Sequence, residues 1–501
     1  MTTAMIMATR HAMPLERLRR GVRKRRLGGA APVAMLVGGL VAAGGSGIGF
    51  AQAAGEASGA LPAVHAPAER LAAILHAAGP ALDAERERML RTWRAFAGVD
   101  GIDATARGFG HSNLGATMPP ALALRPASDF LSEPLDDPDY DFAALDALLA
   151  GAVADGRVAG CSVAILHRGE PVFVQAYGLR DIDDRQPFTF DTICRIASST
   201  KWVCGASVVA AVDDGLFAGL DDPVGLYVPG FLDMNITGSS DTASPTIAEC
   251  FAHTAGMNAT EPATTNPFTT LAQAAAANAV SQNPLGYAPG ARCEYDSNSM
   301  QVTGYAVEVV SPQNDYVRYL RERLLLPMGM PETDFNISLL QIPRLASIYF
   351  PNLQGDLIEL DLPPIPTTNP LIAGGLYSTL PEYARFMLTV RNGGIEPGGE
   401  RVLSEAVVEA MLTDQTEGAP IIPRITVRAI GYGVGNWTHA EDAGTGRSLF
   451  NTSPGAFGTL PWLDRQNDIV GVFFVQSLDP RLTALQIDVV SEATRAVLGG
   501  G

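Results

Sequence analysis

The stretch RIASSTKWVCGAS, residues 195–207, places Ser198 three residues before Lys201. The chain has only one other lysine, Lys24, and the remaining 33 of its 35 basic residues are arginines. A guanidinium keeps its proton in proteins, whereas a desolvated lysine can lose its proton and act as a base. We therefore expect Lys201 to take part in proton transfer.

The residues on both sides of this pair predict how it is presented. DTICRIA, residues 191–197, predicts a short, largely buried strand, and the apolar run over 202–212 predicts a helix buried in a core. Ser198 then lies at the helix start, where free N–H groups favour negative charge, and Lys201 follows one turn later on the same face. The alternative is that Ser198 or Ser199 only caps the helix and that Lys201 is solvated.

Composition predicts a globular protein that does not bind nucleic acid. The chain has 501 residues, of which 47% are hydrophobic and 18% charged, and its length exceeds that of one typical domain. Its net charge is −18. Beyond residue 53 there are 27 basic and 52 acidic residues, a balance of −25 that disfavours a polyanionic partner.

The first 53 residues predict a signal peptide and hence export to the periplasm or the exterior. A basic run (17–26) precedes an uncharged apolar stretch (27–50) and an Ala-x-Ala site (51–53). The alternative is a retained signal anchor, which would give the protein a membrane contact. The five cysteines are odd in number and lack C-x-x-C spacing, so we expect mostly buried thiols and at most two disulfides.

The remaining chain divides into a helical extension with a linker (54–137) and a main domain (138–501). In the main domain, residues 142–156 predict an amphipathic helix, and a hairpin turns at 167–170. Three more strands are predicted near the other end, within 425–437, 447–463 and 467–478. Strands at both ends with helices between them indicate an α/β (α+β) fold, in which the two ends build one sheet around a helical insertion.

The histidines offer poor bases for Ser198. Of the seven, His253 follows an apolar helix, where a structural hydrogen bond is favoured over catalysis, and His439 is predicted in an exposed acidic loop. The chain beyond the leader has no G-x-S-x-G elbow, so a Ser-Lys scheme is favoured over a Ser-His-Asp triad. No H-E-x-x-H, P-loop or Rossmann pattern is present, and we expect neither a metal nor a cofactor.

A second candidate is Tyr295, in the segment PGARCEYDSNSMQVTGYAVEVV (289–310). Val302, Tyr305, Ala306 and Val309 mark a helix face, and Tyr295 stands just before that helix. An ammonium nearby would favour the ionised phenol, so Tyr295 could relay a proton if the fold brings it to Lys201. The alternative is an ordinary half-buried tyrosine.

Six segments together resemble a known family. RIASSTK, LDDPVGLYVPGF, HTAGM, PGARCEYDSNSMQVTGYAVE, AGGLYSTLPEYARFML and GAFGTLPWLDRQNDIVGVFFVQ follow the order and rough spacing of serine hydrolases related to class C β-lactamases. That group includes penicillin-recognising peptidases, β-lactamase-fold esterases and 6-aminohexanoate-dimer hydrolases. The resemblance covers about residues 138–498 and implies their fold, an antiparallel sheet flanked by helices with a helical subdomain.

The resemblance implies roles for individual residues. Ser198 becomes the acylated nucleophile, Lys201 its partner, and Tyr295 the first residue of a Tyr-x-Asn motif. In this chain Ser297 stands at the position of the motif's Asn, and Asn298 follows one residue later. The resulting Tyr-x-Ser pattern looks more like the esterase and aminohexanoate-dimer hydrolase branches of the family.

The third family motif, Lys-Thr-Gly or His-x-Gly on an edge strand, corresponds to Ser453-Pro454-Gly455. The cation that helps hold a substrate carboxylate in β-lactamases and peptidases is missing, which argues against carboxylated β-lactams as substrates. Gly455 is expected to let a substrate lie close, and the N–H groups of Ala456 and Ser198 are expected to form an oxyanion hole. Ser453 and Ser297 are further candidates for substrate binding.

The sequence thus predicts an exported serine hydrolase that cleaves small esters or amides through an acyl-enzyme. The alternatives are a β-lactamase or D-alanyl-D-alanine peptidase, and a non-catalytic binding protein of the same fold. A small-molecule substrate is the expected partner, and the sequence leaves the oligomeric state open.

Overall fold

A computed structural model describes Leu131 and residues 140–258, 266–352, 354–360, 362–422 and 429–499. The predicted leader (1–53) lies outside these residues, as does the predicted helical extension and linker (54–137) apart from Leu131. Both therefore stay predictions. In the described ranges, no helix is long and apolar enough to cross a membrane.

The regular elements of the described residues are numbered in chain order. The strands are β1 (Gly160–His167), β2 (Glu170–Asp181), β3 (Gln186–Pro187), β4 (Cys194–Arg195), β5 (Met234–Asn235), β6 (Thr242–Ala243), β7 (Ile348–Pro351), β8 (Leu357–Leu360), β9 (Tyr377–Ser378), β10 (Gly431–Tyr432), β11 (Trp437–Glu441), β12 (Ser448–Thr452), β13 (Leu460–Asp464) and β14 (Ile469–Val475). The helices are α1 (Ala143–Ala154), α2 (Thr200–Asp213), α3 (Ile247–Phe251), α4 (Leu271–Ser281), α5 (Asn298–Val310), α6 (Tyr316–Leu320), α7 (Leu380–Arg391), α8 (Glu405–Leu412) and α9 (Leu482–Leu498).

The main sheet joins the two ends of the domain. Its eight strands run in the order β10-β11-β12-β13-β14-β1-β2-β3. The pair β1 and β14 is antiparallel, with Cys161 opposite Val475, and β1 also pairs with β2. The prediction of one antiparallel sheet built from both ends, with helices inserted between them, is confirmed.

Both faces of the sheet are covered by helices. Along β1, Val163 and Ile165 pack into a core with α1 and α9, whereas Ala164 and Leu166 pack into a larger core with α2 and α7. Successive strand residues point to opposite faces, so a strand buried on both sides needs a continuous apolar run. The sequence GCSVAILH meets that requirement.

Some predicted elements have different bounds. The predicted helix at 142–156 is α1, and the hairpin turn at 167–170 is confirmed. The strand predicted over 191–197 is only β4, because the chain turns into a 3₁₀ helix from Ala197. Five strands stand where three were predicted near the end. The range 447–463 divides into β12 and β13, and the range 425–437 contains β10 and the start of β11. Residues 423–428 lie outside the described residues.

Helix α2 packs unusually closely against the turn between β10 and β11. A Cβ at Gly205 would lie 2.2 Å from the Val434 carbonyl oxygen, and one at Gly435 would lie 2.1 Å from the Lys201 carbonyl oxygen. Real Cβ atoms do not approach so closely, so glycine is required on both surfaces. This contact fixes the helix that carries Lys201 against the sheet.

We expect Gly205→Ala to destabilise the protein and Gly151→Ala, in α1, to have the opposite effect. Alanine in a helix is usually favoured over glycine by about 0.5–1 kcal/mol. Nothing lies within 4 Å of a Cβ at Gly151, whereas Gly205→Ala must displace backbone, which costs about 1–3 kcal/mol. Urea unfolding of both variants measures the difference, and equal midpoints would contradict the close packing of α2.

Candidate active site

Ser198 lies in a strained turn that enters α2. The turn is the 3₁₀ helix Ala197–Ser199, and Ala197 has φ 46°, in the left-handed region that costs non-glycine residues free energy. Neither Ser198 nor Ser199 makes a side-chain cap to a helix N–H. The alternative in which these serines only cap the helix is therefore wrong.

Hydrogen bonds to other parts of the chain hold this turn. Ser199 Oγ donates to the Ser453 carbonyl at 2.7 Å, and Thr459 Oγ1 donates to the Ile196 carbonyl at 2.9 Å. The Tyr383 hydroxyl donates to the Ser199 carbonyl at 2.8 Å. Contacts from the β12–β13 turn and from α7 thus maintain the strained backbone before Ser198.

Lys201 is completely buried and contacts Ser198. Its Nζ lies 3.1 Å from Ser198 Oγ and donates to the Ala373 carbonyl at 2.6 Å. Burial lowers the pKa of Lys201 to about 7, although the charge of Asp296 acts in the opposite direction. The alternative of a solvated lysine is wrong, and near neutral pH a large fraction of Lys201 is free to accept a proton.

The ring of Tyr295 lies beside Lys201, with the centroid 4.6 Å from Nζ. It stacks on Trp437 at 5.7 Å and contacts His253 at 4.3 Å between centroids. Burial raises the pKa of the Tyr295 phenol well above its usual value, and an interaction with the Ser198 side chain only partly offsets this. We expected the ammonium to favour an ionised phenol, but desolvation dominates, so Tyr295 stays protonated at neutral pH.

Ser453 is buried and supports the turn that carries Ser198. Its single O–H is shared between the carbonyls of Ser198 and Gly435, whose oxygens each lie 3.1 Å from Ser453 Oγ. The third motif begins in the turn between β12 and β13 rather than on an edge strand, and Pro454, which lacks an N–H, ends the pairing of β12.

Gly455 is also required by packing within the protein. A Cβ there would lie 2.1 Å from Thr459 Oγ1 and 2.3 Å from the Ile196 carbonyl oxygen. The expected approach of a substrate to Gly455 stays a prediction. Among the described residues, the backbone–backbone hydrogen bonds of turns and loops include none donated by the N–H of Ala456 or of Ser198. The oxyanion role of these two N–H groups stays a prediction.

The residues after Tyr295 begin α5. Asp296, which the sequence analysis did not single out, accepts from the N–H groups of Asn298 at 2.7 Å and Ser299 at 2.9 Å. The Ser297 hydroxyl is buried without a hydrogen-bond partner in the described part of the chain, and its expected contact with a substrate stays a prediction. Asn298 instead donates to the Asn258 carbonyl at 3.2 Å.

Two histidine predictions have different outcomes. His253 Nδ1 accepts from the Asp296 N–H at 3.0 Å, as expected for a structural hydrogen bond, and burial holds its pKa well below its usual value. The prediction for His439 is wrong, because it is buried in β11 and bonds Thr452 Oγ1 at 2.8 Å. All five cysteines are buried and free.

A sequence model described as Beta-lactamase matches residues 145–494. The chain belongs to the β-lactamase family. Its fold is the β-lactamase and penicillin-binding-protein fold, and members of the family are typically serine hydrolases. The family supports serine hydrolase activity in general.

Individual relatives cover different parts of the chain. Protein Rv1367c of Mycobacterium tuberculosis is 29% identical over 358 residues, 64% of this chain and 86% of that protein. Esterase EstB of Burkholderia gladioli is 33% identical over 115 residues, 23% of this chain and 29% of that enzyme. The solved structure of EstCE1, described as a hydrolase with promiscuous acyltransferase activity, has a TM-score of 0.56 and 19% identity, covering 67% of this chain and 98% of EstCE1.

We expect the stability of Lys201→Met, relative to wild type, to fall as pH rises from about 7 to about 10. The folded pKa of Lys201 is about 7, against 10.5 ordinarily, so in this window the unfolded wild type binds the extra proton and wild-type stability rises with pH. The change is of the order of 3 kcal/mol. Thermal melts of Lys201→Met, wild type and the control Lys24→Met, all as full-length protein that keeps the predicted leader, measure it, and a pH-independent difference would contradict the lowered pKa.

Proposed function

We propose that this protein is an exported serine hydrolase that cleaves small esters or amides through an acyl-enzyme on Ser198. The observation that carries the proposal is the fully buried Lys201 amine, 3.1 Å from Ser198 Oγ. A lysine with a pKa of about 7 can remove a proton at neutral pH, which an arginine could not do.

In the proposed acylation step, neutral Lys201 accepts the Ser198 proton while Oγ attacks the substrate carbonyl carbon. The carbonyl oxygen becomes an oxyanion that the N–H groups of Ser198 and Ala456 stabilise. As the bond to the leaving group breaks, the Tyr295 phenol donates its proton to the alcohol or amine and takes one from the Lys201 ammonium. The products are the acyl-enzyme, the leaving group and neutral Lys201.

In the proposed deacylation step, water attacks the acyl carbon and gives its proton to Lys201 through Tyr295. The acid leaves from Ser198 Oγ, which receives that proton back. The same pair is therefore base and acid in turn, as microscopic reversibility requires.

The third motif supports an uncharged ester or amide over a carboxylated β-lactam. Where β-lactamases and peptidases carry Lys or His, this chain has Ser453, whose hydroxyl already bonds two backbone carbonyls. No cation stands on this turn to hold a substrate carboxylate. The esterase EstB and the hydrolase EstCE1 among the similar proteins support the same choice.

We expect the purified protein to hydrolyse p-nitrophenyl acetate far faster than a chromogenic cephalosporin. Ser198→Ala and Lys201→Arg should each lower the ester kcat by about 10²–10⁴-fold, and the double variant should be little worse, because the two residues act as one unit. Initial rates at saturating substrate measure this, and thermal melts check that each variant is folded.

Each other result favours a specific alternative. Equal or faster cephalosporin turnover would support a β-lactamase or peptidase, and no turnover of either substrate would support a binding protein. A folded Lys201→Arg enzyme with near-normal kcat would exclude proton transfer by Lys201.

Export belongs to the same proposal and rests on the basic run at 17–26, the apolar stretch at 27–50 and the Ala-x-Ala site. We expect mature protein from the native host to begin near Ala54, by intact-mass spectrometry. Ala53→Arg should block the cleavage. Wild-type protein that keeps Met1 in a membrane fraction would identify the leader as an anchor.

A further inference from the structure

The Ala373 carbonyl is the second polar contact of Lys201 Nζ. It accepts a hydrogen bond at 2.6 Å, while Ser198 Oγ lies 3.1 Å from the same nitrogen. The nitrogen of a neutral amine is tetrahedral, so pinning one N–H to a fixed carbonyl limits where the lone pair can point. The position of Ala373 therefore decides how well Lys201 faces the Ser198 hydroxyl.

Gln301, in α5, fixes the chain just before Ala373. Its Nε2 donates to Asn369 Oδ1 at 2.7 Å and to the Pro370 carbonyl at 2.8 Å, and its Oε1 accepts from the Ile372 N–H at 3.1 Å. The Gln301 side chain is fully buried. Both the donor and the acceptor end of its amide bind one short segment, residues 369–372.

The chain after Ala373 is anchored independently. Leu376 accepts from the Ile196 N–H at 3.1 Å and donates its own N–H to Thr200 Oγ1 at 3.1 Å. Before Ala373, a Cβ at Gly304 of α5 would lie 2.5 Å from the Ile372 side chain. Gln301 and the Gly304 contact hold the chain before Ala373. Ile196 and Thr200, on either side of the Ser198 turn, hold the chain after it.

We infer that Gln301 is a positioning residue for the Ser198–Lys201 pair, acting through the Ala373 carbonyl. The inference rests on the proposed function for its kinetic consequence, but not for its structural one. Gln301 does not touch Lys201, so removing its amide leaves the direct contacts of the lysine in place and frees only the segment from Asn369 to Ala373.

Other groups also act on Lys201, and they come from separate elements. Asp296 and Tyr295 face it from the start of α5, His253 from the loop after α3, and Cys204 from the next turn of α2. A carbonyl that accepts from the lysine favours its ammonium form. Loss of that carbonyl should lower the lysine pKa further, whereas the other four groups are unchanged in a Gln301 variant.

The scarcity of lysine allows a direct measurement. In full-length Lys24→Arg protein grown with [ε-¹³C]lysine, Lys201 is the single labelled lysine, so its NMR signal can be titrated without substrate. In this background, Gln301→Met should lower the titration midpoint by about one unit. The matched control is Gln282→Met, which removes another buried amide, bonded to the N–H and carbonyl of Asn258.

The kinetic arm uses p-nitrophenyl acetate at pH 9, where Lys201 of the parent is deprotonated. Gln301→Met should lower kcat by about 10–100-fold with KM nearly unchanged, since the reacting groups are misplaced while substrate binding is retained. Gly304→Ala, which would displace the Ile372 side chain from the same helix one turn further on, should give the same pattern if Gln301→Met fails to fold.

The outcomes separate the inference from the proposed function. A midpoint that is unchanged or raised in folded Gln301→Met, or one that moves equally in Gln282→Met, overturns the positioning role. If the parent protein hydrolyses no ester, the proposed function fails, while the NMR midpoints still decide whether Gln301 orients Lys201.

Discussion

The removal of Lys201 from water is the constraint on which the rest of the site depends. A solvated lysine would stay charged near neutral pH and could not take a proton from serine. The structure achieves this removal with a helix that is buried on nearly every side, pressed against the β10–β11 turn at glycines 205 and 435. The lowered pKa of Lys201 therefore depends on this close packing, because a gap that admitted water would raise the lysine pKa.

The turn at Ala197–Ser199 shows how the sheet and the helical region together hold one strained segment. Ala197 occupies a backbone conformation that is unfavourable for a residue with a side chain, and it persists because hydrogen bonds from two directions fix its neighbours. Ser199, Ser453 and Thr459 use their hydroxyls on backbone carbonyls. These hydroxyls hold the backbone around Ser198, whose own Oγ lies 3.1 Å from Lys201 Nζ.

The sequence predicted site residues well where the chemistry allows only one residue type. It predicted them less well where a group's role depends on its position in the fold. Lysine scarcity identified Lys201, and periodicity identified α1, α5 and the hairpin, because these depend on local pattern. The sequence could not reveal the Ala373 carbonyl, since every residue has one and only the fold decides which is presented. Asp296 was missed for a related reason, because a carboxylate beside a helix start looks like an ordinary cap. His439 was misplaced because acidic neighbours suggested a loop, although its own side chain faces the core.

The third motif, Ser453-Pro454-Gly455, has no Lys or His, and the charges around Lys201 explain why this fits an uncharged ester substrate. Burial raises the pKa of Asp296, but the N–H groups of Asn298 and Ser299 and the charge of Lys201 all favour its carboxylate form. In the proposed reaction, protonated Lys201 appears together with the oxyanion, so one cation balances one developing negative charge in a desolvated space. A substrate carboxylate would add a further negative charge with no cation on the β12–β13 turn to balance it. A neutral ester or amide adds none, and its charge would develop only at the carbonyl oxygen, which the proposed oxyanion hole of the Ser198 and Ala456 N–H groups would stabilise.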